Sequence, residues 1–323
     1  MSPPTNWVAT YRKKGEKTMT NTTNTTTTTF DAAAILNRLS CPPTHVRGIR
    51  GYHAVDGTAL TFLALKRNGT LAEVANPGIR AFYGMELETD TNRCSMDRDT
   101  IARYVRDIMA GKGLRDVERD GSVSGFEIIT EPCTLQAACY GLPWDELCAT
   151  LDHLNVKAHD GENTGIHVHV SRAALGMTDD ARDMVCAKIL VLMDKFETQL
   201  VKFARRDWVH EYYCRKYASY DATGENSTKK MLKKFKDTAK REGQNGERYR
   251  CLNLTNAHTV EFRIFKSTLN PLSIRAIFQL CDTMVTYCKT HTTPEVQACT
   301  WSELIGTCKL PELATYCTNR GIA

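Results

Sequence analysis

Two glutamates separated by one residue, Glu86 and Glu88, lie in the stretch FYGMELETD. Read as a strand, whose side chains alternate between faces, this stretch sets both acids on one side and Met85 and Leu87 on the other. Three later stretches repeat the pattern. GFEIITEP puts Glu127 and Glu131 on one face with Phe126 and Ile128 turned away, and GIHVHVS sets His167 and His169 against Ile166, Val168 and Val170. VEFRIF alternates Glu261 and Arg263 with Val260, Phe262 and Ile264. Each alone has a plain reading: alternating Glu is common on a solvated strand face, an HxH pair is common on a surface, and Glu261 with Arg263 is a same-strand ion pair of little energetic value. Gathered in one sheet, the four would build a single pocket of carboxylates, imidazoles and a guanidinium, the outline of a metal and phosphate site. Like charges so close raise one another's pKa and persist together only where cations neutralise them. Two or three divalent ions carry about four to six positive charges, a near match to the acids, and oxygen donors with one imidazole suit Mg²⁺ or Mn²⁺ better than zinc. Such ions bridge nucleotide phosphates, and an arginine fork can hold the oxygens of a phosphoryl group as it transfers.

The elements that must position these residues follow from periodicity and breakers. Phe30 to Leu39 reads as a short amphipathic helix ended by Cys41-Pro42-Pro43. LTFLAL and LAEV, joined by Arg67-Asn68-Gly69-Thr70, read as a hairpin. Asp97 is placed to cap a helix striped with Ile101, Val105, Ile108 and Met109. Asp120-Gly121-Ser122 makes a turn before the strand of Glu127, and Pro143 opens a helix with Trp144, Leu147, Leu151 and Leu154 on one side. The longest helical pattern runs from Thr178 to about Arg206, and is expected to cover the back of the sheet. Asn270-Pro271 caps a further helix carrying Ile274, Ile277, Phe278, Cys281, Met284 and Val285. Strands interleaved with helices, some joined by short turns, give an α+β class with a mixed or antiparallel sheet backed by helices.

Composition narrows the setting. The chain has 323 residues, enough for one or two ordinary cores, and its net charge of +5 suits an anionic ligand without the density of a dedicated nucleic-acid binder. With no long apolar run and no secretory leader, it is expected to be soluble and cytoplasmic, with no membrane partner. The 13 cysteines include no CxxC pair, which points to reduced, mostly buried thiols. Residues 1–29, Thr/Asn-rich and polar, are expected to be unfolded, leaving one domain over 30–323; Met19 offers an alternative start in the same frame. The segment Lys229 to Arg241, KKMLKKFKDTAKR, reads either as a solvated helix or as a flap over an anionic ligand, with Tyr212, Tyr213, Tyr217 and Tyr220 before it as packing or as a substrate path.

In this order, GMELE, DGS with GFEIITEP, TGIHVHVS, RYRCLNL and VEFRIFKSTLN resemble the amidoligase family of phage and bacterial genomes, related to glutamine synthetase and glutamate–cysteine ligase. The resemblance spans roughly Phe82 to Cys288 and implies a glutamine synthetase-like catalytic fold, with a mainly antiparallel sheet walling an active-site funnel. It implies ATP and Mg²⁺ (or Mn²⁺) as cofactors and a host-cytoplasmic setting if the gene is a phage's. By resemblance, Glu86, Glu261 and His167 hold the ion that carries the ATP phosphates, while Glu88, Glu127 and Glu131 hold ions nearer the acceptor carboxylate. Arg263 contacts the γ-phosphate and His169 sits beside the nucleotide. Arg250 is a second phosphate or substrate contact, or structural, and Asp120 and Ser122 shape a turn or touch substrate. The implied reaction converts a carboxylate to an acyl phosphate that an amine then displaces, with small-molecule or peptide substrates as partners. Residues 30–80 are too short for the separate N-terminal domain of glutamine synthetase, and no ammonia-trapping loop matches. Two other readings stay open on the residues: a metal-dependent phosphohydrolase or nuclease, and a non-catalytic binding protein that keeps the fold.

Overall fold

All four acid- and histidine-bearing stretches are adjacent strands of one antiparallel sheet. The computed structural model describes residues 6–11, 17–23, 26–27, 32–51, 57–159, 163–207, 214, 216 and 249–323. The basic segment Lys229 to Arg241 and the tyrosines before it lie outside the described residues.

The first strands, β1 (Asn6–Tyr11), β2 (Lys17–Thr23) and β3 (Thr26–Thr27), pair antiparallel in a sheet of their own. These three segments fall within the Thr/Asn-rich stretch of residues 1–29. Helix α1 (Ala32–Leu39) and the hairpin of β4 (Leu63–Leu65) and β5 (Leu71–Glu73) follow. In the hairpin turn Lys66 N donates to Thr70 O, and Gly69 takes the φ of +81° that a side chain would resist.

The main sheet contains β6 (Tyr83–Glu88), β7 (Leu114–Glu118), β8 (Glu127–Thr130), β9 (Gly165–Ser171), β10 (Leu252–Asn253) and β11 (Thr259–Lys266), in the order β10-β11-β9-β6-β8-β7. Register puts Glu86 opposite His167, Glu88 opposite Glu127, and Glu261 opposite His169. Directly opposed residues share a face, so these acids and imidazoles all project from one side. Met85, Leu87, Ile128, Ile166, Val168, Val170, Val260 and Phe262 project from the other and are buried. A bulge in β11 between Phe262 and Phe265 sets two residues, Arg263 and Ile264, against one on β9. It returns Phe265 to the core side beside Ile264 while Arg263 stays on the polar side.

Helices cover the apolar face. In α2 (Arg98–Ile108) the Asp97 side chain accepts from Thr100 N at 2.9 Å, and Ile101, Val105 and Ile108 are buried, as the spacing predicts. Next come α3 (Trp144–His153), α4 (Asp179–Lys195) and α5 (Glu197–Ala204). The single helix predicted from Thr178 to Arg206 is thus two helices, interrupted at Phe196, whose backbone leaves the helical region and whose ring packs edge-on against Trp301 at 5.4 Å. Among the described residues the longest helix is instead α6 (Pro271–Thr290), capped by Asn270 accepting from Ser273 N at 3.0 Å. Helix α6 packs against β9 and α5 against β11, while α4 lies on α6. The chain ends in α7 (Thr293–Ala298), α8 (Trp301–Gly306) and α9 (Pro311–Asn319). Most cysteines are buried and all described ones are free thiols, as their scattered spacing indicates. Among the described residues no helix is long and apolar enough to cross a membrane.

Candidate metal centre and its cavities

On the polar face, five side chains from four strands form two overlapping clusters. Glu86, His167 and Glu261 offer ligand atoms all within 4.8 Å of one another, and so do Glu88, Glu127 and His167. His167 joins the two. Its Nδ1 lies 3.0 Å from Glu86 Oε2 and 3.6 Å from Glu261 Oε1, while its Nε2 lies 3.8 Å from Glu88 Oε1. His169 continues the row, with Nε2 3.0 Å from Glu86 Oε1 and Nδ1 3.1 Å from Thr259 Oγ1. Glu261 also accepts from Asn253 Nδ2 at 2.7 Å and Asn256 Nδ2 at 3.1 Å, and Arg263 Nη1 donates to its other oxygen.

Burial acts on every acid here, and its outcome differs between the clusters. Burial would raise the Glu86 carboxyl, but His169 and His167 hold it well below the usual range. Burial likewise opposes ionisation of Glu261, and Arg263 with His169 outweighs it. Burial pulls His169 down, yet the carboxylates of Glu86 and Glu261 push it up to about 9. The second cluster lacks such compensation. Burial raises Glu88 despite His167, and Glu127 is pushed well above the usual carboxyl range by burial and then by Glu86, Glu88, Asp120 and Glu261. The first cluster is therefore neutralised by its cationic neighbours, while in the second, burial and neighbouring acids work against ionisation of Glu88 and Glu127.

That asymmetry has a measurable consequence. An acid whose folded pKa is raised contributes full stability below its unfolded value of 4.5, and loses it as pH climbs through the folded value. Metal-free protein should therefore lose stability above pH 4.5 through Glu127. Glu127→Gln should remove this penalty and stabilise the metal-free chain at neutral pH by about 0.5–2 kcal/mol. Urea unfolding at pH 5 and pH 8 with EDTA checks it; a variant less stable than wild type at pH 8 contradicts the assignment.

Two cavities adjoin the clusters. Beside Glu88 and His167 lies one of ≈ 680 Å³, whose walls include Arg98, Arg119, Asp120, Ser122, Arg206, Tyr249 and Arg263. Beside Glu86 and His169 lies a smaller, mainly apolar one of ≈ 190 Å³, walled by Phe62, Phe82, Met85 and Pro132 among others. The expected turn at Asp120 closes with Ser122 N donating to Asp120 Oδ1 at 2.6 Å and Ser122 Oγ to the same atom at 2.7 Å.

The sheet thus brings together Glu86, Glu88, Glu127, His167, His169, Glu261 and Arg263, all named from the sequence. It does not bring in Glu131, which lies just past the end of β8. Its Oε2 accepts from Thr61 N at 3.1 Å and sits 3.4 Å from Arg115 Nη1, and Glu131 joins neither cluster. Arg250 walls neither cavity, and its Nη1 donates to Lys216 O at 3.4 Å. Sequence reasoning missed the whole of β7, which brings buried Glu118 opposite Glu127. The alternation Asp116, Val117, Glu118 was its signal. It also missed Arg98, Arg119 and Arg206, for which no local pattern exists.

A family model described as "Putative amidoligase enzyme" matches residues 66–285, more than half of the chain. No curated protein matches the sequence.

Proposed function

The chain belongs to the amidoligase family, and from that membership we propose that it is an ATP- and Mg²⁺-dependent ligase joining a carboxylate to an amine through an acyl phosphate. The observation that carries this reading is the meeting of Glu86, Glu88, Glu127 and Glu261 around His167 in two three-ligand clusters. A buried, oxygen-rich donor set with one shared imidazole fits Mg²⁺ or Mn²⁺, and the raised Glu127 carboxyl marks charge that a cation would relieve. When bound, such ions would offset the charge of the nucleotide phosphates. Glu86, Glu261 and His167 would hold the ion on the nucleotide side, and Glu88 and Glu127 the ion on the acceptor side.

The apolar cavity beside His169 is suited to a flat base, and this supports a nucleotide entering from that end. Arg263 lies on the wall of the larger cavity, anchored by Glu261, and would grip a phosphoryl oxygen. The acceptor carboxylate would attack the γ-phosphorus from the Glu88 side, ADP would leave, and an amine would then expel phosphate. The protein's part is positioning and charge. Glu131 and Arg250 carry no step in this scheme. The antiparallel sheet and its polar face support a glutamine synthetase-like funnel as the architecture.

Thermal unfolding with EDTA, with Mg²⁺, and with Mg²⁺ plus ATP tests the reading. Binding to the native state at 100 times the dissociation constant adds about 2.7 kcal/mol, a rise of about 4 °C for a chain of this size. The rise should need metal and nucleotide together and vanish in Glu261→Ala. A full rise with metal alone would favour a metal-dependent hydrolase, and none at all would sink both.

A further inference from the structure

The larger cavity holds more positive charge than the proposed chemistry uses. Arg98 stands in the first turn of α2, Arg119 follows β7 and leads into the Asp120 turn, and Arg206 follows α5. Arg206 reaches the second cluster itself: a side chain at Gly165 would meet its Nη1 at 3.0 Å and Glu88 Oε2 at 3.5 Å. Arg98 donates only to the Gly125 carbonyl, at 3.5 Å, and among the described residues neither Arg98 nor Arg119 has a carboxylate partner. Glu88 and Asp120 are the acids on the same walls. Once cations neutralise Glu88 and Glu127, the guanidiniums dominate the space. A single reacting carboxylate, held at the metal cluster, does not account for three further arginines.

We propose that the acceptor is a carboxylate bearing at least one further anionic group, recognised by Arg98 and Arg119 while Arg206 orients the reacting end beside Glu88. This deepens the ligase reading and takes the metal sites from it. Guanidiniums bind carboxylate and phosphate oxygens in paired, charge-assisted fashion, which selects a polyanion over a monoacid of equal length.

Titration calorimetry on the full chain with Mg²⁺ and a non-hydrolysable ATP analogue would use glutarate and citrate as probes against pentanoate. We expect the polyacids to bind at least about tenfold more tightly than the monoacid, an advantage that shrinks with added salt. Arg98→Gln/Arg119→Gln should reduce the preference to within twofold, and Arg98→Lys/Arg119→Lys should restore part of it. Equal binding of polyacid and monoacid, with the nucleotide analogue still bound, would overturn the polyanion site alone. A double variant that loses the nucleotide analogue but keeps the acid preference would assign the arginines to the triphosphate and also overturn it. Preference retained in a protein that binds no metal–nucleotide would uphold the anion site and remove the ligase reading.

Discussion

Replacing His167 with glutamine should lower Mg²⁺ or Mn²⁺ affinity by at least about 100-fold, more than any other single change on the polar face. Losing a residue that merely supports a ligand already costs about 10–100-fold. His167 faces Glu86 and Glu261 through Nδ1 and Glu88 through Nε2, so its loss reaches both clusters at once. A neutral imidazole has one free lone pair. On the proposed reading it would bind one ion directly while its N–H supports the carboxylates of the other cluster, and filling of the two sites would then be coupled. His169→Gln, by contrast, should leave the cluster of Glu88 and Glu127 nearly unchanged, because the His169 ring hydrogen-bonds to Glu86 and Thr259 and belongs to neither three-ligand cluster. Mn²⁺ titration followed by electron paramagnetic resonance gives both affinity and stoichiometry. A His167→Gln protein binding Mn²⁺ within threefold of wild type would refute the shared-ligand assignment.

Asp116→Asn should cost about 3 kcal/mol of folding stability, the largest structural effect expected of a single isosteric change. Asp116 is fully buried on β7; one carboxylate oxygen pairs with Arg106 of α2 and the other lies 2.9 Å from Arg50 Nη1. Arg106 also donates through Nε to Gly48 O at 2.9 Å and through Nη2 to Val117 O at 3.1 Å. One buried acid thus ties the sheet edge, the helix that carries Arg98 and the segment before the hairpin. Removing one partner of a buried pair leaves its counter-charge uncompensated, at about 3–5 kcal/mol. The low end applies because Arg50 retains about a third of its exposure and can rehydrate. Guanidinium unfolding should show a lower midpoint at unchanged slope; a midpoint equal to wild type would show that the network contributes nothing.

What the sequence disclosed and what it withheld divide along a physical line. Period-two alternation made the polar and apolar faces of β6, β8, β9 and β11 legible, and with them Glu86, Glu88, Glu127, His167 and Glu261. Local hydrogen-bonding chemistry made the caps at Asp97 and Asn270 and the hairpin at Gly69 legible as well. The β11 bulge escaped because a continuous apolar–polar rhythm hides a one-residue shift in pairing. Glu131 was assigned by parity to the face of Glu127, but β8 ends at Thr130 and parity has no force beyond a strand. The break at Phe196 interrupts an apolar pattern that itself runs on, because that ring is taken by Trp301 more than 100 residues away. Arg98, Arg119 and Arg206 meet only through the fold, from a helix start, a strand end and a helix end.

The four ligand-bearing strands are the interior of a six-stranded sheet, with β10 and β7 outside them. A strand laddered on both sides cannot fray alone, so the amide hydrogens of Glu86, His167 and Glu261 should exchange with solvent only when the whole sheet opens. Backbone breathing therefore gives the crowded carboxylates little relief, which must come from side-chain rotation or from opening of the sheet. Cation occupancy at this floor should accordingly slow exchange throughout the sheet, in strands that touch no ion as much as in those that do.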